Sequence, residues 1–495
     1  MSSSRKTRRI RPESLILFLL LVLAAVIRLY HLDHYSFWID EGATGWFASL
    51  SLDEMKTALS QETNPALFYL LAKVWLYGGQ SDFWARLLPC LAGVLGVGLT
   101  YLLAAEVWQS RKAGLAAAAL AALSPLLVMY SQEFRSYSVL YALSTACLWL
   151  LWRWSGRGGW LSLVALALIG AGGFYTHYLF SLYLTALALT GYILVWPDRR
   201  RILALTSALA LLFLLSLPGI YAGFVQTKHM AGTWWLWKPS LEFIQLVTAS
   251  LSFRSALLNS FFLGTAVQVF IAVSFLIRRD RNGLALMVFA YLPLLLMLIV
   301  SFAFEPVLLY RVVIPSVAPV LALAGGWIVI RGRGAGAKAA VRIVAAVLVL
   351  GAVTGLYEYF LAPQSRDLRK PDWRAVVARV EEGYRPGDAV VMCPPQADFA
   401  FSWYMKKDGR FLPRRGFPFD WAAGRPPYPI VPDDLEGKLA KFKKELGRPE
   451  RIWMITLDNN PVLRKAFDKA FLSAHRTLEK MSTEHLTLRL LQPKG

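Results

Sequence analysis

Apolar residues fall in long blocks along this chain, separated by short links that carry most of the charge. A helix needs roughly 17–25 mainly apolar residues to cross a bilayer. The pattern predicts about eleven such spans, near 15–31, 86–108, 113–130, 138–154, 159–176, 178–196, 202–222, 261–278, 284–303, 312–331 and 341–361. Pro65–Tyr77 is also apolar, but it is short and interrupted by Lys73, so it is read as lying along the interface. With it, a second amphipathic surface helix is expected near Gly42–Leu59. A further loop at about 223–260 holds Trp234, Trp235 and Trp237, the aromatic type that settles among headgroups.

From about Pro363 the pattern becomes that of a soluble domain. Trp373–Val380 and Val462–Ala470 have the helical period, while Asp388–Met392, Arg451–Leu457 and His485–Leu491 read as strands. Lys438–Lys444 reads as the solvated face of a helix, and Pro413–Pro432 as a long loop. The expected organisation is a transmembrane domain over 1–362, with a long outer loop at 32–85, followed by a small soluble α/β domain over 363–495.

Composition supports this class. Of 495 residues 56% are hydrophobic and only 17% charged, against about 25% charged in an ordinary soluble chain. The net charge of +21 invites a nucleic-acid reading, but no basic groove interleaved with aromatics is visible. The basic residues instead lie where membrane orientation puts them. If the N-terminus is cytoplasmic and 65–77 does not cross, Arg111-Lys112, Arg199-Arg200-Arg201, Arg278-Arg279-Arg281 and Arg331-Arg333 all fall on the cytoplasmic side. An odd number of spans then puts the C-terminal domain outside. Arg5, Lys6, Arg8, Arg9 and Arg11 precede the first span, and no small-residue cleavage site precedes Arg28, so a retained anchor is expected. Cys90, Cys147 and Cys393 form neither a disulfide framework nor a metal motif.

The candidate chemistry gathers at the outer ends of the spans. Asp40 and Glu41 stand together after the first span, where an ionised acid is costly unless it has a function or a partner. Arg86 opens the second span, Glu133, Arg135 and Tyr137 follow the third, His177 and Tyr178 join the fifth to the sixth, and Tyr310-Arg311 opens the tenth. Carboxylates, arginines, tyrosines and a histidine on one side describe a site for a polar headgroup attached to a lipid.

Trp38-Ile39-Asp40-Glu41, Asn64-Pro65-Ala66-Leu67-Phe68-Tyr69, Ala85-Arg86-Leu87-Leu88-Pro89, Gln132-Glu133-Phe134-Arg135-Ser136-Tyr137 and Thr176-His177-Tyr178 occur in that order. Over about residues 10–330 the chain resembles the bacterial family 39 glycosyltransferases, related to protein O-mannosyltransferases and lipid A aminoarabinose transferases. The resemblance implies a polytopic α-helical membrane protein of GT-C type. It also implies transfer of a single sugar from a polyprenyl-phosphate-linked donor to a lipid, glycan or protein acceptor, with lipid A modification among the cell-envelope roles. The expected location is the bacterial inner membrane, multi-pass, among membrane lipids, with the active site and C-terminal domain extracytoplasmic. Two departures from the family pattern stand out: Asn64-Pro65-Ala66 replaces the frequent His-Pro-Pro, and Phe134 replaces an alanine.

By this resemblance Asp40 is the candidate base for the incoming hydroxyl, and Glu41 an orienting acid. Arg86, Arg135 and Arg311 are candidates for the phosphate, since guanidinium groups bind it in bidentate fashion. Glu133 belongs to the same substrate-binding run, and His177, Tyr137 and Tyr178 are candidates for orienting sugar hydroxyls. One-step displacement would invert the anomeric carbon. Polyprenyl phosphate is a competent leaving group, so no metal is mandatory; Asp40, Glu41 and His177 are the groups available to a divalent ion, though no metal-ligand spacing appears. Each residue also has a plainer reading. Asp40 serves as a helix N-cap, Arg86 and Arg311 as headgroup anchors, and Glu133, Arg135 and His177 as polar glue between helices. A lipid transporter or flippase is the alternative of another class, but such proteins often bind near the midplane between repeated halves, and no repeat is visible.

Overall fold

The computed structural model describes residues 11–60, 62–230, 236–329, 334–362, 370–405, 412, 414–418, 434–458 and 461–494. Trp234 and Trp235, Arg331 and Arg333, the basic residues 5–9, the His229 side chain and most of the expected loop before Pro432 lie outside them. The chain divides into two compact units. The first comprises residues up to Tyr30, Arg86–Gly219 and Leu236–Ala362; the second comprises His31–Ala85, Ile220–Trp235 and Pro363–Gly495.

The protein is a polytopic helical membrane protein. Among the described residues seven helices are long and apolar enough to span: Pro12–Leu29, Asp82–Val107, Arg199–Lys228, Ser260–Ile277, Arg281–Ala303, Tyr310–Val329 and Ala335–Phe360. Arg111–Leu123 and Pro125–Ser131 make an eighth if the pair, bent by 58°, counts as one span. The remaining three of the expected eleven form helices that miss this standard. Trp160–Thr176 and Phe180–Val195 have only 17 and 16 residues because the His177-Tyr178 turn cuts them short. Tyr137–Arg157 carries Ser138, Ser144, Thr145, Arg153 and Arg157 and is less apolar.

In the first unit, the bend at Ser124-Pro125 has a specific cause. Proline lacks the N–H that Ala121 C=O would accept four residues on. A buried cation fills the gap: Arg28 is fully buried and donates to Ala121 O, Ala122 O and Ala24 O and to Ser131 Oγ, each at 3.2 Å. Gln132 caps the first helix by donating to Arg28 O at 2.9 Å and Tyr30 O at 2.6 Å, and Tyr359 donates to Gln132 Oε1 at 2.9 Å. Close helix contact relies on small residues. A Cβ at Gly325 would sit 2.6 Å from Ala113 O, so helices Val317–Val329 and Arg111–Leu123 pack there almost backbone to backbone.

The second unit is built on a five-stranded mixed sheet. Its strands are β1 (Ala389–Cys393), β2 (Arg414–Gly416), β3 (Ile452–Leu457), β4 (His475–Thr483) and β5 (Leu486–Pro493), in the order β2-β1-β3-β5-β4. β1 runs parallel to β2 and β3, with Val391 opposite Met454. β5 is antiparallel to β3 and β4. Val391, Met454, Leu491, Phe417, Phe442, Phe467 and Phe471 form the core under helices Leu435–Leu446 and Pro461–Leu472. The residues 31–85 belong to this unit. The single helix expected over Gly42–Leu59 is two, Ile39–Ser49 and Leu52–Leu59. Ser51 starts the second with a capping box: Glu54 N–H donates to Ser51 Oγ at 3.3 Å, and Ser51 N–H to Glu54 Oε2 at 2.8 Å. Leu67–Trp75 buries Phe68, Tyr69 and Ala72 and exposes Leu70, Leu71 and Val74, the two-faced form of an interfacial helix.

Candidate functional site

In the second unit the acid pair opens helix Ile39–Ser49. Asp40 is not its N-cap. Trp38 is, and the third helical residue, Glu41, supplies the capping-box carboxylate, accepting the Trp38 N–H at 3.5 Å. Glu41 is fully buried and ion-paired with Lys370 Nζ at 3.1 Å. A buried carboxylate without a cation would be strongly destabilising, so Lys370, some 330 residues on, sustains its charge. Asp40 itself is partly exposed, in the first turn, where the helix dipole favours an anion.

The turn leading to the acids is bolted in place by residues that sequence reasoning missed. Asp82 is buried and accepts from Arg374 Nε at 2.9 Å and Nη2 at 2.6 Å, Trp403 Nε1 at 2.8 Å and the Tyr404 hydroxyl at 2.8 Å. That hydroxyl in turn accepts the Phe37 N–H at 2.7 Å. Arg374 also donates to the carbonyls of Asp33, His34 and Tyr35, and Ser36 Oγ donates to Pro371 O at 2.9 Å while accepting the Trp373 N–H at 2.9 Å. Glycine makes the backing possible: a Cβ at Gly42 would meet Ala400 N at 2.6 Å, so helix Ala397–Met405 lies directly against the acid-bearing helix. A cavity of about 310 Å³ opens at the other end of that helix, beside Trp46, Lys73, Gln80 and Trp403, and the acids do not line it.

The first unit gathers most of the other candidates. Tyr137 is buried, with the Arg135 guanidinium 6.0 Å and the Arg311 guanidinium 5.9 Å from its ring centroid. Tyr130 meets the Tyr137 ring edge-on at 5.2 Å, and Glu133, Arg311 and Arg254 act on it electrostatically. Glu133 and Arg135 are themselves nearly buried in a tight turn, with Arg135 N–H donating to Glu133 O at 2.6 Å. His177 is in the same neighbourhood. Burial first, then the charges of Arg311 and Arg135, push its imidazole down from 6.5 to about 4. Its Nδ1 accepts the Leu179 N–H at 3.2 Å, which leaves Nε2 as the donor. Tyr178 instead packs edge-on against Phe174 at 5.6 Å; burial and Tyr175 push its phenol up to about 12. Arg86 is buried in this unit near the start of helix Asp82–Val107.

Arg254 is a member the sequence did not reveal. Its guanidinium lies 5.0 Å from the Tyr310 ring centroid, and its Nη1 donates to Met129 Sδ at 3.4 Å. A lone arginine in Leu251-Ser252-Phe253-Arg254 carries no motif, so only the fold links it to residue 311. The arrangement gathers the Arg135, Arg311 and Arg254 guanidinium groups against aromatic rings, the charge that an anion would meet. Among the described residues no three His, Cys, Asp or Glu gather in a way that would hold a metal ion.

Residues 62–222 match the family described as dolichyl-phosphate-mannose-protein mannosyltransferase. No curated protein matches the chain by sequence. The fold is similar to ArnT from Cupriavidus metallidurans in the apo state, at 15% identity with a TM-score of 0.62, covering 96% of this chain and 97% of that one. The same enzyme bound to undecaprenyl phosphate gives 13% identity and a TM-score of 0.58, covering 96% and 97%. An archaeal oligosaccharyltransferase, AglB from Archaeoglobus fulgidus, in complex with an inhibitory peptide and a dolichol-phosphate, is similar at 12% identity with a TM-score of 0.53, covering 96% and 74%.

Proposed function

We propose, from the family match over residues 62–222 and the ArnT-like fold, that this chain is a GT-C glycosyltransferase that moves one sugar from a polyprenyl phosphate to a lipid, glycan or protein acceptor. The reaction takes place on the extracytoplasmic face of a bacterial inner membrane, the side on which the C-terminal domain also lies. Polyprenyl phosphate is the carrier on this reading because the ArnT structure of similar fold is bound to undecaprenyl phosphate and because Arg135 and Arg311 bring two guanidinium groups to Tyr137. The single observation that carries the reading is the pair of guanidinium groups, Arg135 and Arg311, flanking buried Tyr137.

Asp40 takes the proton of the acceptor hydroxyl as that oxygen attacks the anomeric carbon. The C–O bond to the phosphate breaks in line, the configuration inverts, and the electron pair stays with the phosphate. Arg135 and Arg311 stabilise the charge that develops on it, with Arg86 as a further cation for the same group. Glu41 does not compete as the base, since the Trp38 N–H and Lys370 engage its carboxylate. Tyr137, His177, Tyr178 and Glu133 are left to hold the sugar.

The test compares envelope lipids and glycans by mass spectrometry in cells with and without the gene, and with Asp40→Asn. A sugar-bearing product present only with the wild-type chain is expected. Loss of a general base should lower its formation about 10²–10⁴-fold. An Asp40→Asn protein that folds, inserts and transfers at the wild-type rate removes Asp40 as base. A wild-type chain that moves labelled lipid between leaflets without forming a glycosidic bond removes the transferase reading.

A further inference from the structure

The turn that carries Arg254, residues 251–259, joins helices Leu241–Ala249 and Ser260–Ile277 and is gripped by one face of helix Ala335–Phe360. Gly351, Gly355 and Glu358 of that helix recur at intervals of four and three, so they share a face. A Cβ on Gly355 would collide with Arg254 O, and one on Gly351 with the Phe253 ring. Next along the face, the Glu358 carboxylate accepts three hydrogen bonds from the residues that follow Arg254. Ser255 Oγ and the Leu257 N–H donate to Oε1 at 2.7 and 2.8 Å, and the Ala256 N–H donates to Oε2 at 2.9 Å. An acid near the end of an apolar span is costly unless it is occupied. This one is engaged by the turn beside Arg254.

The turn presents a half-buried guanidinium with donors left over. Arg254 Nη1 donates to Met129 Sδ at 3.4 Å, and the group lies 5.0 Å from the Tyr310 ring centroid. Among the described residues it has no carboxylate partner. Its contacts close a circuit. Met129 precedes Tyr130, whose ring lies 5.2 Å from that of Tyr137; Arg311 is 5.9 Å from Tyr137, and Tyr310, beside Arg311 in the chain, leads back to Arg254. We infer that Glu358 is a positioning residue for the lipid-linked phosphate: by fixing 255–257 it holds the Arg254 guanidinium at the Arg135–Arg311 cluster without itself touching the ligand. The inference rests on the phosphate reading of that cluster. A guanidinium binds phosphate in bidentate fashion only within a narrow range of orientations. An arginine on an untethered loop would lose backbone and rotamer freedom on binding. The three bonds to Glu358 remove much of that freedom beforehand.

The probe is the methyl ester of undecaprenyl phosphate, a phosphodiester like a sugar-linked donor, with undecaprenol as the uncharged control. Affinities are measured for the full-length protein in zwitterionic nanodiscs. Glu358→Gln keeps the size of the side chain, but one end of the amide is a donor and opposes a turn N–H. It should bind the diester about tenfold more weakly and undecaprenol as the wild type does. Arg254→Gln should weaken the diester at least as much. Adding Glu358→Gln to it should cost nothing further, because the acid acts through that arginine. Wild-type diester affinity in Glu358→Gln, a matching loss for undecaprenol, or losses that multiply in the double variant overturns the inference. If Glu358→Gln fails to insert, Ser255→Ala decides: it removes one bond of the three and must show a smaller loss of the same kind, absent in the Arg254→Gln background. Arg135→Gln and Arg311→Gln separate the two levels. If neither weakens binding of the diester, the phosphate site is misplaced and both readings fall; if both weaken it and Glu358→Gln does not, only the positioning role falls.

Discussion

At the scale of the residue, the two neighbouring acids have separate duties although their types and positions are nearly alike. Glu41 faces inward to Lys370 and the Trp38 N–H; Asp40, one residue earlier, stays at the accessible surface. Lys370→Met would leave Glu41 buried without its cation, and breaking a buried pair costs about 3–5 kcal/mol. A lower unfolding temperature of the purified protein is expected, with a substantial part of the loss recovered in the Lys370→Met, Glu41→Gln double variant. Equal losses in the single and double variants would show that the pair is not coupled.

Asp388 gives a second check at this scale, in the soluble domain. Burial works to raise its carboxyl, but hydrogen bonds from Arg451, the Arg385 N–H and Trp453 outweigh it and hold the group below its ordinary 3.8. The unfolded chain therefore takes up the proton first as pH falls. The stability this group contributes is complete above about pH 4–5 and is lost as pH falls through its lower folded value. The difference in unfolding temperature between wild type and Asp388→Asn should be largest near neutrality and shrink as pH drops below about 4.

At the scale of the element, the apolar blocks were legible because a bilayer-length helix imposes its length on the sequence. The breaks were less so. Pro125 announces an interruption, but what makes it tolerable in an apolar surrounding is Arg28, 93 residues from the carbonyl it serves. Arg28→Leu should strip donors from three backbone carbonyls at once and lower thermal stability in detergent by several kcal/mol, since each buried unsatisfied group costs about 1–3 kcal/mol. An unfolding temperature within a degree of wild type would refute that role. In the soluble domain the strands with apolar inward faces were readable. Helix Ala397–Met405 was not, because it is buried on nearly every side and so lacks a polar stripe. β4 was missed for the opposite reason: it is an edge strand with charged, mostly exposed positions.

At the scale of the whole molecule, the partition of the chain is not the order of the sequence. The loop expected to belong with the spans, 31–85, folds into one compact unit with the residues after 363. Arg374, Trp403 and Tyr404 fasten it through Asp82. A chain ending at residue 362 should therefore retain its helical content yet lose order in 31–48, seen as rapid proteolysis of that segment in the truncated protein and protection in the full one. Equal protection in both would mean that the C-terminal residues merely decorate the loop. The sequence by itself determined the membrane class and the sheet-bearing tail, and its short ordered motifs carry the resemblance to a family, because hydropathy, strand period and motifs are local signals. It also picked out Arg135, Tyr137, His177 and Arg311, though not that the two arginines would flank the one tyrosine ring. Only the tertiary structure decided which acid is spent on Lys370, which arginine joins from residue 254, and which nitrogen of His177 bears hydrogen. Those outcomes depend on distances between residues far apart in the chain, and neither period nor spacing encodes a distance across space.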